Sequence, residues 1–222
     1  PLIPNFSVTD NPRVTFEENE YKEFLSAIRK CIKSGEIVRG HAISDEFYYF
    51  VCIIVHSYLR PTDREAFALT HKDITPNDDG TINLRVTKGK TGFRHSFSTE
   101  LGLDFYNHLK RINCDYSKPD NYLFLPKMEN RTHANRTFQR MFNYVLETHN
   151  LKLDKDGQPR TTYSLRHYAL QTRLNKSGGK VNIYDLARNA GTSVNQLERF
   201  YLKRMKVSKK QRENLNRFDS TE

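Results

Sequence analysis

The stretch Asn189–Lys206, "NAGTSVNQLERFYLKRMK", decides how this chain is read. Ala187, Gly191 and Leu197 have the spacing of a helix-turn-helix, in which the second helix would lie in a DNA groove. The same residues put Tyr201 on a short amphipathic helix among basic side chains. Tyr201 is then either a core aromatic beside Phe200 or a nucleophile, and the choice rests on what the rest of the chain sends to meet it. A recognition helix reads bases with its amino-terminal residues. Here those are Ser193, Val194, Asn195 and Gln196, with no arginine among them.

Composition narrows the classes. The chain has 222 residues, enough for one large domain or two small ones with a real core. Its apolar fraction is low, 36%, but 14 Phe and 12 Tyr supply bulky core material. Lys plus Arg outnumber Asp plus Glu by 36 to 26, a formal +10 that favours a polyanionic partner. Nucleic acid comes first and an anionic membrane second, because no basic-faced helix has a continuous apolar side and no apolar run could span a bilayer. Cys31, Cys52 and Cys114 are widely spaced and form no zinc pattern, so they read as reduced core thiols of a cytoplasmic protein. The chain begins "PLIPNFSVTDNP" without Met or signal peptide. We read it as an excised or processed piece that lacks an amino-terminal partner domain.

Periodicity predicts an α+β domain, mostly helical, with one small antiparallel sheet or hairpin. Residues 1–14 read as a linker or processing remnant, 15–205 as the folded domain, and 206–222 as a polar tail with a last short helix. Thr15 and Glu18 suggest a capping box for a first helix carrying Phe24, Leu25, Ile28 and Ile32. Ser44 should cap a second, "DEFYYFVCIIVHSYL", apolar nearly all round and hence central. Thr62 and Glu65 suggest a capped third helix, "DREAFALTH". Two alternating runs in "TINLRVTKGKTGFRHSFST" then predict a hairpin with a basic loop at Lys88–Gly92. Helices follow from Thr99 to about Asn113, from Thr132, and over 163–176, 182–190 and 194–204, with "NYLFLP" as a short strand or extended segment.

Four positions spread over the domain could carry chemistry. Arg60, in "SYLRPTDREAFAL", sits at the end of the buried helix, with Asp63 three residues on. Lys90 lies in the glycine-flanked hairpin loop. Arg166, in "TTYSLRHYALQTRL", stands in the first turns of an amphipathic helix, with Tyr163 one turn back and His167 beside it. Tyr201 is the fourth. Taken singly each has a plain structural explanation: a helix-end arginine, a solvated lysine, a hydrogen-bonded histidine, a buried aromatic.

Together the set resembles the catalytic domain of the tyrosine recombinases, the phage-integrase family. Arg60 in "LRPTD" matches that family's first arginine and Asp63 the acidic residue after it. Lys90 in "KTG" matches the hairpin lysine and Arg166 in "YSLRH" the second arginine. Tyr201 falls nine residues after Thr192, in "NAGTS". The resemblance covers roughly residues 14–205 and rests on the order and intervals of the motifs. Tyr163 stands where the family has histidine in H-x-x-R, and Thr192 stands at its histidine or tryptophan position.

The resemblance implies a DNA recombinase or integrase, active in mobile-element integration, that cuts and rejoins strands without metal, cofactor or ATP. It implies double-stranded DNA as partner, a homotetramer on DNA, a monomer in isolation, accessory DNA-bending or excision factors, and no membrane. Catalytic roles pass to Arg60, Lys90, Arg166 and the nucleophile Tyr201. Asp63, Tyr163, His167 and Thr192 take supporting ones, with Asp63 orienting Arg60. On this reading either arginine could be replaced with the fold intact. Two other readings stay open: a helix-turn-helix regulator, and a degenerate relative that binds DNA without cutting it. A type IB topoisomerase would use nearly the same residues.

Overall fold

A computed structural model of the chain describes residues 14–89, 92–178, 180–200 and the single positions 212, 213 and 216. The fold grows around one helix. In α2 (Asp45–Ser57) the side chains of Phe47, Phe50, Val51, Ile53 and Ile54 are all buried, as an all-round apolar segment requires. Helices α1 (Glu18–Ser34), α3 (Gly102–Ile112) and α5 (Tyr163–Lys176) pack around it. Phenylalanine fills the centre: the Phe50 ring lies 4.9 Å from Phe138 and 5.2 Å from both Phe67 and Phe124. Phe138 comes from α4 (Arg131–Thr148), whose face of Phe138, Met141, Phe142, Val145 and Leu146 is buried throughout. These rings are how a chain of modest apolar content closes a core.

Helix starts depart from expectation where a side chain has a stronger partner. α1 begins two residues late: the Glu20 carboxylate accepts from the Glu17 amide, and the Thr15 carbonyl is taken by Arg160. The expected box at Thr62 and Glu65 does not form, because the Glu65 carboxylate is bound by Arg60 and Arg94. The helix expected over "DREAFALTH" is accordingly a turn and two short 3-10 segments, Ala66–Ala68 and His71–Asp73.

The sheet has three antiparallel strands in the order β3 (Ile74–Pro76), β4 (Ile82–Gly89), β5 (Gly92–Phe97); the first was not anticipated. A further two-residue hairpin, β1 (Ile37–Val38) with β2 (His41–Ala42), was also missed. Alternation along β4 buries Ile82, Leu84 and Val86. Leu84 pairs with Ser96 and Val86 with Arg94, so Arg94 faces inward. The segment "NYLFLP" is extended, held by one bridge from Tyr122 to Thr70, with Leu123 and Phe124 buried. Cys31 and Cys52 are core thiols as expected, but Cys114 is exposed, because it opens a surface 3-10 turn after α3. Arg160 is 2% exposed and purely a strut: it donates to the carbonyls of Thr15, Leu151 and Leu153 and pairs with Glu20 at 2.6 Å.

The chain ends its described course in α6 (Ile183–Ala190) and α7 (Val194–Phe200). The expected linker and tail fall outside the described residues, apart from Val14, Arg212, Glu213 and Asn216. Among the described residues no helix is long and apolar enough to cross a membrane.

Candidate functional site

The site is organised by the carboxyl end of α6. A helix leaves its last carbonyls without intrahelical donors and concentrates negative partial charge there. Gly191 ends α6 in the left-handed conformation, φ 62°, so the carbonyls of residues 189–191 turn toward the body of the domain. Three arginines meet them. Arg166 donates through Nη2 to Ala190 O at 2.7 Å, Arg60 through Nη2 to Gly191 O, and Arg94 through Nε to Asn189 O at 3.3 Å. Arg166 reaches there because it lies on the buried face of α5 with Leu165, Ala169 and Leu170, and its Nη1 also donates to Tyr58 O. Tyr58 caps α2 in the left-handed region, φ 58°, and Arg60 follows two residues later.

Glu65 lies beneath the arginines. It is 1% exposed, and its carboxylate accepts from the Arg60 amide at 2.7 Å, from Arg60 Nη1 at 2.9 Å, and from both terminal nitrogens of Arg94. Burial alone would raise its pKa. The hydrogen bonds and charge of Arg94, then those of Arg60, outweigh that and hold it below the usual carboxylate value. Glu65 is therefore an anion that orients Arg60, the role expected of Asp63. Asp63 instead accepts a hydrogen bond from Thr132 at 2.7 Å, tying this turn to the start of α4. Counting three residues on from Arg60 missed the acid because the Pro61–Arg64 turn carries it two residues further.

Of the other expected residues, Tyr163 opens α5 and is 38% exposed, close enough to Arg60 and Arg166 to feel both charges. Burial raises its phenol pKa above the ordinary value of about 10, and the two arginines lower it by less, so the group is neutral near pH 7. The His167 ring lies 6.3 Å from that of Tyr163. Thr192 adjoins the site through its backbone, its amide bonded to Ala187 O. Lys90 and Tyr201 lie outside the described residues. Their chain neighbours do not: Gly89 pairs with Gly92 at the end of the hairpin, and Phe200 closes α7. Ala187 and Leu197, the helix-turn-helix positions, are buried where α6 meets α7.

Beside Thr132, the first turns of α4 present a second basic surface, a cavity of about 310 Å³ lined by Asn130, Thr132, His133, Arg136 and Arg140. The Asp63–Thr132 bond joins it to the arginine site.

The sequence reading missed Arg94 and Glu65. Alternation alone would have hidden Arg94: in β5 the apolar Phe93 and Phe97 are exposed at 62% and 49%, while Arg94 and Ser96 point inward, the reverse of the usual pattern. A strand that turns its polar residues in and its apolar ones out has a polar site beneath it.

No family model matches the chain, and no curated protein matches it. Solved structures do. The XerH site-specific recombinase in its pre-cleavage complex with difH substrate is 18% identical, with a TM-score of 0.60 over 89% of this chain and 53% of its own. XerA recombinase is 17% identical, TM-score 0.60, over 92% of this chain and 64% of its own. The catalytic domain of bacteriophage HP1 integrase is 14% identical, TM-score 0.53, over 91% and 95%. This chain thus spans about half the length of XerH and nearly all of the HP1 catalytic domain. With two arginines drawn to one helix end, a three-stranded sheet beside them and this likeness over 89–92% of the chain, the fold is that of a tyrosine recombinase catalytic domain.

Proposed function

We propose that the chain is the catalytic domain of a site-specific DNA recombinase or integrase that cuts and rejoins strands through a 3′-phosphotyrosine bond at Tyr201. The observation that carries this reading is the meeting of Arg60 and Arg166, from distant parts of the sequence, at adjacent carbonyls of α6. A helix-turn-helix regulator gives no reason for that meeting.

The chemistry follows from the residues. Attack on a phosphodiester adds negative charge to its non-bridging oxygens, and guanidiniums carry a permanent charge in a geometry that matches them. In the proposed step the Tyr201 oxygen bonds to phosphorus as the bond to the 5′ oxygen breaks. Lys90 gives that oxygen its proton, and the phenol proton leaves to solvent or a nearby base. The product keeps the energy of the phosphodiester, so a 5′-hydroxyl can reverse the step on the same or another strand without ATP. Tyr163, a neutral phenol at the rim, supplies one hydrogen bond to a phosphate oxygen. The α4 surface with Arg136 and Arg140 contacts the DNA backbone.

The test is a labelled, nicked duplex carrying the native site, incubated with the chain and run on a denaturing gel. A covalent adduct should form with the parent and disappear in Tyr201→Phe, while DNA binding is kept. Binding without an adduct in either protein would convert the reading to a degenerate, DNA-binding relative. An adduct surviving in Tyr201→Phe would remove Tyr201 as the nucleophile.

A further inference from the structure

Arg94 has no part in the chemistry above, yet it is built in more tightly than Arg60. Its side chain is 8% exposed, against 12% for Arg60. All three of its guanidinium nitrogens are used, two on Glu65 and one on Asn189 O. Glycines let the backbone approach it closely: a Cβ at Gly191 would lie 2.7 Å from Arg94 Nε, so that something would have to shift, and one at Gly89 would make a tight contact of 3.1 Å with Arg94 Nη1. Gly191 also has φ +62°, so two separate constraints keep that residue glycine.

The charge count explains why such a residue is needed. Glu65 aligns Arg60 through its amide and its guanidinium, but a carboxylate under a phosphate site repels the phosphate. With Arg60, Arg94 and Arg166 against Glu65, the cluster has a formal net charge of +2. Without Arg94 it would be +1, and the Glu65 charge would fall on Arg60 alone.

We propose that Arg94 is a positioning residue: it pins Glu65 to the end of α6 and offsets the Glu65 charge, so that this charge is not set against Arg60 alone when a phosphate meets Arg60 and Arg166. This rests on reading the arginine pair as a phosphate site. Arg94 itself touches no substrate.

The offset makes a charge-swap prediction that mere packing does not. Arg94→Met lowers the net charge to +1, and adding Glu65→Gln returns it to +2. Binding of inorganic phosphate, followed by NMR of the arginine Nε–H groups of the 222-residue chain, should weaken at least about tenfold in Arg94→Met and recover to within about threefold of the parent in Arg94→Met/Glu65→Gln. The rate of adduct formation on the nicked duplex should follow the same order. The double variant removes both partners of the buried pair and should stay folded by circular dichroism. If Arg94→Met alone unfolds, Arg94→Lys takes its place: it keeps the charge without the fork and should hold phosphate within about threefold of the parent.

The proposal is overturned by a folded Arg94→Met that binds phosphate like the parent, by a double variant no better than Arg94→Met, or by a folded Arg94→Lys that loses tenfold. A parent that shows the phosphate pattern but forms no adduct would sink the recombinase reading and leave Arg94 as assigned. A parent that forms the adduct without the phosphate pattern would sink only the role of Arg94.

Discussion

Replacing Arg166 with alanine tests whether the arginine site is also a structural joint. The sequence reading expected the fold to survive this change untouched, but the geometry says otherwise. Arg166 is 4% exposed and bridges two elements, donating to Tyr58 O at the end of α2 and to Ala190 O at the end of α6. Alanine leaves both carbonyls without these donors. A buried acceptor stripped of its partner costs about 1–3 kcal/mol, more when the donor was charged. Water entering the space left by the side chain recovers part of this. A net loss of about 3 kcal/mol follows, and for a chain of this size about 2–4 °C of Tm goes with each kcal/mol. Thermal unfolding by calorimetry should therefore show Tm lower by about 6–12 °C. Arg60→Ala should lose less, about 1–2 kcal/mol, because Glu65 keeps Arg94 as its partner. A Tm within about 2 °C of the parent in Arg166→Ala would refute the bridging argument. The outcome also governs how activity data are read: lost cleavage in this variant supports the proposed phosphate role of Arg166 only at temperatures where the protein is still folded.

Three further outcomes are expected. His56, whose Nδ1 meets Thr99 Oγ1, has its pKa lowered by burial from 6.5 to about 4, so the unfolded chain binds its proton first; about 3 kcal/mol of stability present above pH 6.5 is lost as pH falls toward 4, and urea unfolding of His56→Gln should show a loss smaller by about that amount. Because the Tyr163 phenol is neutral throughout pH 5–8, single-turnover cleavage should vary less across that range in the parent than in Tyr163→His, and a Tyr163→Phe variant as fast as the parent would show that the hydroxyl does nothing. Arg136→Gln with Arg140→Gln should flatten the slope of log Kd against log salt by about 1–2 without shifting Tm by more than about 2 °C, and an unchanged slope would take the α4 surface off the DNA.

How much of this was legible depended on whether a residue answers to its own neighbours in sequence or to something distant. α2 and α4 announce themselves, because their apolar positions are set by local period and meet the core wherever they go. Arg60 and Arg166 were legible as candidates because each falls in a motif whose order and interval can be read along the chain, though nothing local said that both would turn to the end of α6. Glu65 was misread for the opposite reason. Its spacing from Thr62 fits a helix cap, but two guanidiniums from elsewhere outcompete one backbone amide. Asp63 followed the same logic, and its partner, Thr132, comes from another helix altogether. Arg94 needed the strand register, which depends on the irregularity between Val86 and Gly89 that no alternation count reveals.

The arginines are held by acceptors of the protein itself, and this bears on how the proposed phosphate site would work. A free arginine side chain loses much rotamer freedom when it grips a phosphate, and a flexible site would lose it at the moment of reaction. Here the carbonyl end of α6 holds both arginines and the Glu65 carboxylate holds Arg60, so on the proposed function little reorganisation would be left for a phosphate to drive. The same helix end is the last fixed point before α7, which leads directly into residue 201. The α6 carbonyls thus bind the cations on one side, and on the other Gly191 sets the direction in which the chain departs toward the proposed nucleophile. A shift of α6 would move the carbonyls that hold Arg60 and Arg166 together with the start of α7, and on the proposed function that ties the phosphate site to the segment carrying the nucleophile. That coupling gives a physical reason for an arginine cluster to close on a helix terminus rather than on side-chain acids alone.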